Sequence, residues 1–168
     1  MSETMKRPSM ADDYVRRRAS ELYMPAIRRW HNGEQFEERE TVEQLMKVVS
    51  PHGDGYEMAR ELERDHGWYV DSNLVGVLED CASFCDDAIA ELTRQWVICL
   101  GIQLAYAVGD RVRLAVNLGG RKEGVIVKVE HDLAKYGVHT EGQSEKAYWV
   151  VECEKVLGLV EAEEERVA

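Results

Sequence analysis

The spacing of apolar side chains changes near Gly101, and this change constrains the fold more than any other feature of the sequence. Before Gly101, apolar residues recur every three or four positions, which is the period of an amphipathic α-helix. After it, they alternate with polar residues, as in a strand with one buried face. We therefore predict an α+β protein in which an N-terminal helical bundle precedes a C-terminal all-β module.

The two periods and the polar ends divide the chain into four predicted segments. They are a flexible tail over 1–9, a helical domain over 10–101, a β module over 102–160 and an acidic tail over 161–168. A chain of 168 residues can hold one ordinary domain or two small ones.

Three shorter helices are expected in the first part of the helical domain. The first covers about 11–31 and ends at Asn32-Gly33, with a kink or a break at Pro25, because proline lacks a backbone N–H and collides with the preceding turn. The second covers about 36–49, and a capping-box pattern at Thr41 places the start of its well-ordered part there. The third begins at Asp54 and ends at His66-Gly67.

The longest predicted helix runs without interruption from Leu74 to Leu100. Its apolar positions form one continuous stripe over about 40 Å, at 1.5 Å per residue. Asp71 or Ser72 is the expected N-cap, and Gly101 is the expected end. A helix of this length must be covered by the shorter ones, which favours a bundle organised around it.

Three segments of the β module alternate and are rich in β-branched or aromatic residues, at 111–116, 124–129 and 148–153. Glycine-containing turns at 108–110 and 118–120 separate them. The polar stretch from 131 to 144 is expected to be a long loop with a short strand around 136–139.

The glycines of the β module follow a recognisable order. Val108-Gly-Asp-Arg-Val-Arg-Leu114 precedes Gly120-Arg-Lys-Glu-Gly124 and then Val125-Ile-Val-Lys-Val129. This order resembles the opening of SH3-like small β-barrels of the KOW and Tudor-like type. The resemblance covers the β module alone. It implies an SH3-like small β-barrel and a tendency toward binding rather than a reaction.

The net charge of −11 is concentrated in the middle of the chain, where residues 31–100 carry five basic and sixteen acidic residues. Such a chain as a whole should be repelled by nucleic acids, so a protein partner with a basic surface is the easier inference. The arginine-rich first helix is expected to dock onto this acidic segment, either in the same chain or in a second copy. The second case would give a homo-oligomer.

The sequence predicts a cytoplasmic protein without a membrane anchor. It has no run of 18 apolar residues, and its N-terminus has no apolar segment of the signal-peptide type. Its four cysteines are not spaced as a secreted disulfide framework, so we expect reduced thiols.

We expect no catalytic residue, no cofactor and no metal ion. Cys81 and Cys85 are one helical turn apart and could share a zinc ion, but two further ligands are lacking and both lie on the apolar stripe. The five histidines have no nucleophile or carboxylate at a spacing typical of a catalytic dyad. The many carboxylates of the helices are expected to be solvated.

One candidate binding patch lies in the β module. Arg111 and Arg113 share a strand face, opposite Val112 and Leu114, and Lys128 is expected to point away from Val127 and Val129. Such a patch could bind RNA phosphate while an aromatic ring stacks on a base. The predicted patch comprises Arg111, Arg113, Arg121, Lys122, Lys128 and Tyr148.

These features lead to one main hypothesis and three alternatives. The main one is a non-enzymatic binding or adaptor protein that contacts partners through an acidic helical surface and a small barrel. The first alternative is RNA binding through the basic patch, and the second is an acidic mimic of nucleic acid, as in small viral inhibitors. The third is an enzyme whose site assembles from scattered residues.

Overall fold

The structure is a computed structural model that describes residues 6–31, 37–144 and 146–160. It contains two compact units, Met1–Trp96 and Val97–Ala168. Helices form the first unit, and a five-stranded antiparallel sheet lies in the second, which confirms the predicted α+β class. The predicted acidic tail, the first five residues of the predicted N-terminal tail and the Asn32-Gly33 helix stop lie outside the described residues.

Three of the predicted helices are confirmed as α1 (Asp13–Trp30), α2 (Glu38–Val48) and α3 (Gly55–His66). The first helix continues through Pro25, which lies on its exposed side, so the break considered from the sequence does not occur. The prediction of a capping box at Thr41 is wrong, because α2 begins at Glu38 and Thr41 is buried within the helix.

The ends of α3 follow from two residues that the sequence singled out. The side chain of Asp54 accepts hydrogen bonds from the backbone N–H groups of Tyr56 and Glu57, as an N-cap does. Gly67 ends the helix with a φ of +68°, a left-handed conformation that glycine adopts without a steric penalty.

The prediction of one uninterrupted helix from Leu74 to Leu100 is wrong, because two helices cover this range. They are α4 (Ser72–Leu78) and α5 (Cys81–Leu100), separated by a turn at Glu79 and Asp80. The apolar stripe does not reveal the break, because Leu74, Leu78, Cys81, Cys85 and Ala88 are all buried at the spacings of an unbroken helix. The Asp71 cap and the Gly101 end are confirmed.

The five helices surround one apolar core in the helical unit. Tyr23 is the largest fully buried side chain of this core among the described residues, and its ring centroid lies 4.4 Å from that of Phe84. The other large, fully buried side chains of this core are Ile27, Leu45, Leu62, Leu74 and Leu78. None of the helices among the described residues is both long enough and apolar enough to span a membrane.

The sheet unit contains β1 (Arg111–Leu118), β2 (Arg121–Glu130), β3 (Lys135–His139), β4 (Trp149–Glu152) and β5 (Val156–Leu159). All neighbouring strands are antiparallel, in the order β4-β3-β2-β1-β5. The four predicted strands are therefore confirmed, including the short one inside the polar stretch. The last strand, β5, was not predicted.

The predicted barrel does not close, and this expectation is corrected. β4 and β5 are the two edges of the sheet, and a three-residue 3₁₀ turn joins them instead of a hairpin turn. A flat sheet of five strands would hold its edges about 19 Å apart, whereas this connection spans at most about 14 Å. The sheet must therefore be strongly curved, and irregularities in the pairing of β1 and β2 provide sites for this curvature.

Candidate functional site

The predicted basic patch divides between two places on the sheet. Arg111 and Arg113 are exposed on β1 while Val112 and Leu114 are buried, as the alternation predicts. Arg111 pairs across the sheet with Val125, which in turn pairs with His139 of β3. The outward face therefore carries a row of three residues from three neighbouring strands.

A cavity of about 700 Å³ lies beside this row, at the turn between β1 and β2, and we call it the hairpin cavity. It brings together three of the six predicted patch residues with one histidine and two carboxylates. Its charged and titratable lining residues are Arg111, Arg121, Lys122, Glu123, His139 and Glu141.

Carboxylates neutralise much of the positive charge of the hairpin cavity. Arg111 lies 3.3 Å from Glu123, and Arg121 lies 3.4 Å from Glu141. Among the described residues, Lys122 has no ion pair. Both pairs weaken the positive field that this side of the sheet would present to a phosphate.

Lys128 and Tyr148 lie apart from the hairpin cavity and contact each other beside Gly137. A β-carbon on Gly137 would lie 2.8 Å from Cβ of Lys128 and 2.9 Å from the Tyr148 ring, so only glycine permits this approach. The hydrogen bond from Lys128 to Glu130 raises the pKa of the lysine.

The side chains of β2 do not alternate around Lys128. Val127 is exposed like Lys128, because the pairing with β3 is irregular between Ile126 and Lys128. The alternation predicted for these residues is therefore wrong.

The arginines of α1 pair with the acidic middle of the chain, as the charge distribution predicted for the intrachain case. Arg18 lies 2.9 Å from Glu91, and Arg28 lies 2.7 Å from Glu38. These two pairs connect α1 with α5 and α2. They need no second copy of the chain.

Four carboxylates near the start of α5 lack such partners. They are exposed and form no ion pair within the described part of the chain, and we call them the acidic face: Glu79, Asp80, Asp86 and Asp87. On the opposite side of the same helix, Cys81, Cys85 and Ala88 are buried. The acidic face is therefore the outer side of an amphipathic segment.

The two cysteines of α5 are part of the core. Their sulphur atoms lie 4.0 Å apart, and both side chains are fully buried. The contact with Cys81, together with burial, raises the pKa of the Cys85 thiol. All four cysteines of the chain are free, and no group of three potential metal ligands occurs among the described residues.

The helical unit has a cavity of about 400 Å³ beside Trp30 and Asp71, and another of about 280 Å³ on which sequence reasoning was silent. Four lining residues of the smaller cavity have aromatic rings, and we call it the aromatic cavity: Trp30, His31, Trp68 and Tyr69. Helix ends position them, since Trp30 is the last residue of α1 and Trp68 follows the Gly67 cap of α3. The only signal in the sequence was the concentration of aromatic residues at these two ends.

Asp71 supports this region from the start of α4. Its carboxylate accepts hydrogen bonds from the Leu74 N–H at 2.8 Å and from the indole N–H of Trp30 at 3.0 Å. Both hydrogen bonds lower the pKa of Asp71 below its ordinary value, and the bond from the Leu74 N–H has the larger effect. The charged carboxylate is therefore the form that stabilises this end of the helix.

We expect the contribution of Asp71 to stability to disappear in acid. A group whose pKa is lower in the folded state stabilises the fold above its unfolded-state pKa and loses this effect as the pH falls through its folded-state pKa. Asp71→Asn keeps a capping oxygen but cannot ionise. Urea unfolding between about pH 6 and pH 3 should therefore show the wild type losing its advantage over the variant. A difference that is constant with pH would contradict this prediction.

Comparison of the chain with models of protein families, with curated proteins and with solved structures found no match.

Proposed function

We propose that this protein is a non-enzymatic binding or adaptor protein whose helical unit contacts a protein partner with a basic surface. The acidic face supports this proposal most directly. Within the described part of the unit, six other carboxylates form ion pairs with arginine, at Asp13, Glu21, Glu38, Glu43, Asp65 and Glu91. Exposed carboxylates without an ion pair also occur singly on α2 and α3, at Glu40, Glu57 and Glu63, but the acidic face groups four of them within nine positions. Because these four carboxylates form no ion pair within the described ranges, their charge is available to attract an oppositely charged surface.

The edges of the sheet support a second contact with protein. Val150 on β4 is 60% exposed, and Leu157 on β5 is 63% exposed. The strands at the edges of a sheet also present backbone groups that an extended segment of another chain can pair with. The similarity of this unit to SH3-like modules stays a prediction, as does a cytoplasmic location.

RNA binding through the basic patch is less favoured than protein binding. Three of the cationic side chains that such a surface would use are already paired within the chain, at Arg111, Arg121 and Lys128. An acidic mimic of nucleic acid would use the same acidic face as the main proposal. The two proposals differ in the nature of the partner. A mimic would compete with nucleic acid for a partner that binds DNA or RNA, and would displace the nucleic acid from it.

Neutralising the acidic face should weaken partner binding. In the triple variant Glu79→Gln, Asp86→Asn and Asp87→Asn, Asp80 is retained because it directly precedes α5, where a carboxylate stabilises the helix N-terminus. Each exposed charge contributes about 0.5 kcal/mol, so the loss of three together should weaken binding about tenfold. Tagged wild type and variant would be used to capture proteins from a lysate, followed by quantitative mass spectrometry and affinity measurement with the recovered basic protein.

A matched control separates a specific surface from net charge alone. The variant Glu21→Gln, Glu38→Gln and Glu43→Gln changes the net charge by the same amount but removes carboxylates that arginines already neutralise. It should bind the partner like the wild type. Equal losses in both triple variants, or binding that is independent of salt, would count against the proposal.

A further inference from the structure

We infer that the aromatic cavity is a binding site for a trimethylammonium group. The site uses residues at the ends of α1 and α3 and does not include the acidic face. The inference therefore does not depend on the proposed adaptor function, and either can fail alone.

The two indole rings of the aromatic cavity are held in place before any ligand binds. The indole N–H of Trp30 donates to Asp71 at 3.0 Å, and that of Trp68 donates to the side-chain oxygen of Gln44 at 2.5 Å. The two indole planes are within 7° of parallel, with their centroids 6.2 Å apart. A site whose rings are fixed in advance loses less conformational entropy on binding.

The rings also enclose the cavity from more than one direction. The His31 ring stands at 79° to that of Trp30, with the centroids 5.6 Å apart. Tyr69 is 78% exposed and lies at the open side of the cavity. The 6.2 Å between the indole centroids is too short for a tetrahedral cation to enter between the two rings. The cation would instead rest in the cavity, against ring surfaces that differ in orientation.

The chemistry of the lining favours a cation over a neutral apolar group. The lining contains no lysine or arginine, and aromatic faces attract cations through the negative side of their quadrupole. The bond from Trp30 to the carboxylate of Asp71 places a negative charge at the edge of that indole. A trimethylammonium group suits such a site because it is cationic, compact and weakly hydrated, and aromatic sites are its common receptors.

The described part of the chain provides arginine side chains for two aromatic rings outside the aromatic cavity. The guanidinium of Arg7 lies 4.9 Å from the centre of the Trp96 ring, and that of Arg60 lies 5.9 Å from the centre of the Tyr56 ring. Within the described ranges, no arginine or lysine occupies the equivalent position over Trp30, Trp68 or Tyr69. The aromatic cavity is thus left with the ring surfaces that a cation from outside would contact.

The test uses choline and its neutral isostere 3,3-dimethylbutan-1-ol, which have the same shape but differ in charge. The full chain would be titrated with each, and the indole N–H signals of Trp30 and Trp68 would be followed by NMR. We expect choline to bind about tenfold more tightly than the neutral alcohol. Equal affinities for the two, or no response of either indole signal to choline, would overturn the inference.

Two tyrosine variants provide a control that does not disturb the core. Tyr69→Leu removes an exposed ring of the aromatic cavity, and Tyr56→Leu removes a ring that is also mostly exposed but lies outside it. Choline binding should fall several-fold in the first variant only. Equal behaviour of the two variants would also overturn the inference.

A third arm identifies what carries the trimethylammonium group. A peptide with one trimethyllysine is compared with choline and with the same peptide carrying unmodified lysine. Tighter binding of the trimethylated peptide than of choline indicates a protein-borne group, and the reverse order indicates a free small molecule. Tighter binding of the unmodified peptide than of the trimethylated one would contradict the assigned chemistry.

Discussion

Replacing Tyr23 with alanine should lower the free energy of unfolding by about 3–5 kcal/mol, as for other large buried aromatic residues. Tyr23 is fully buried between helices, with its ring against Phe84. Its hydroxyl lies 3.4 Å from the carbonyl oxygen of Leu78, the last residue of α4. The interruption between α4 and α5 removes the N–H that a continuous helix would bring to this carbonyl, and the Tyr23 hydroxyl donates to it instead. Burial raises the pKa of this tyrosine and so keeps the donor protonated.

The conservative change Tyr23→Phe separates the two roles of this side chain. It retains the ring but removes the donor, so we expect a smaller loss of about 0.5–1.5 kcal/mol. Urea unfolding followed by circular dichroism, with a common slope for all variants, gives both values. A phenylalanine variant as unstable as the alanine variant would show that the ring contact is not the main contribution.

The fold class and the positions of most helices and strands could be predicted from the sequence, because two local signals indicated the same boundaries. Apolar spacing showed which face of each helix or strand is buried, and caps such as Asp54 and Asp71 located helix starts. The interruption at Glu79 and Asp80 could not be read in this way. Leu78 and Cys81 are three positions apart, so burial on one side of the break continues in register on the other.

The last strand and the open sheet escaped prediction for a different reason. Strand β5 has only four residues, and its exposed members, Leu157 and Leu159, are apolar, so it shows no alternation of polar and apolar side chains. Whether the sheet closes depends on hydrogen bonding between its two edge strands, β4 and β5, which is a tertiary contact. A sequence pattern does not distinguish a 3₁₀ turn at Cys153–Lys155 from a hairpin turn.

Candidate sites were predictable only where they depend on a single element. The outward direction of Arg111 and Arg113 follows from alternation along β1, and the sequence was sufficient for it. The aromatic cavity depends on residues separated by more than thirty positions, at Trp30 and Trp68, which only the packing of α1 against its neighbours brings together. Such a site has no spacing that a sequence pattern could reveal.

The interruption of the long helix leads to the second large expected effect, at Gly55. This buried glycine is the first residue of α3 and lies against the last turn of α4. A β-carbon at this position would lie 2.7 Å from the backbone nitrogen of Glu79 and 2.8 Å from the carbonyl oxygen of Val75. Because both are backbone atoms, they cannot move aside as a flexible side chain would. Gly55→Ala should therefore destabilise the helical unit by about 1–3 kcal/mol.

The matched control for Gly55 is Gly76, which lies within α4 itself. It is exposed, and a β-carbon there would meet no atom within 4 Å. Alanine favours a helix over glycine by about 0.5–1 kcal/mol, so Gly76→Ala should stabilise the protein. The same substitution at two glycines 21 positions apart should thus change the urea midpoint in opposite directions. If both variants were stabilised, α3 could not begin in contact with the backbone of α4, and the close packing of Gly55 against the end of that helix would be wrong.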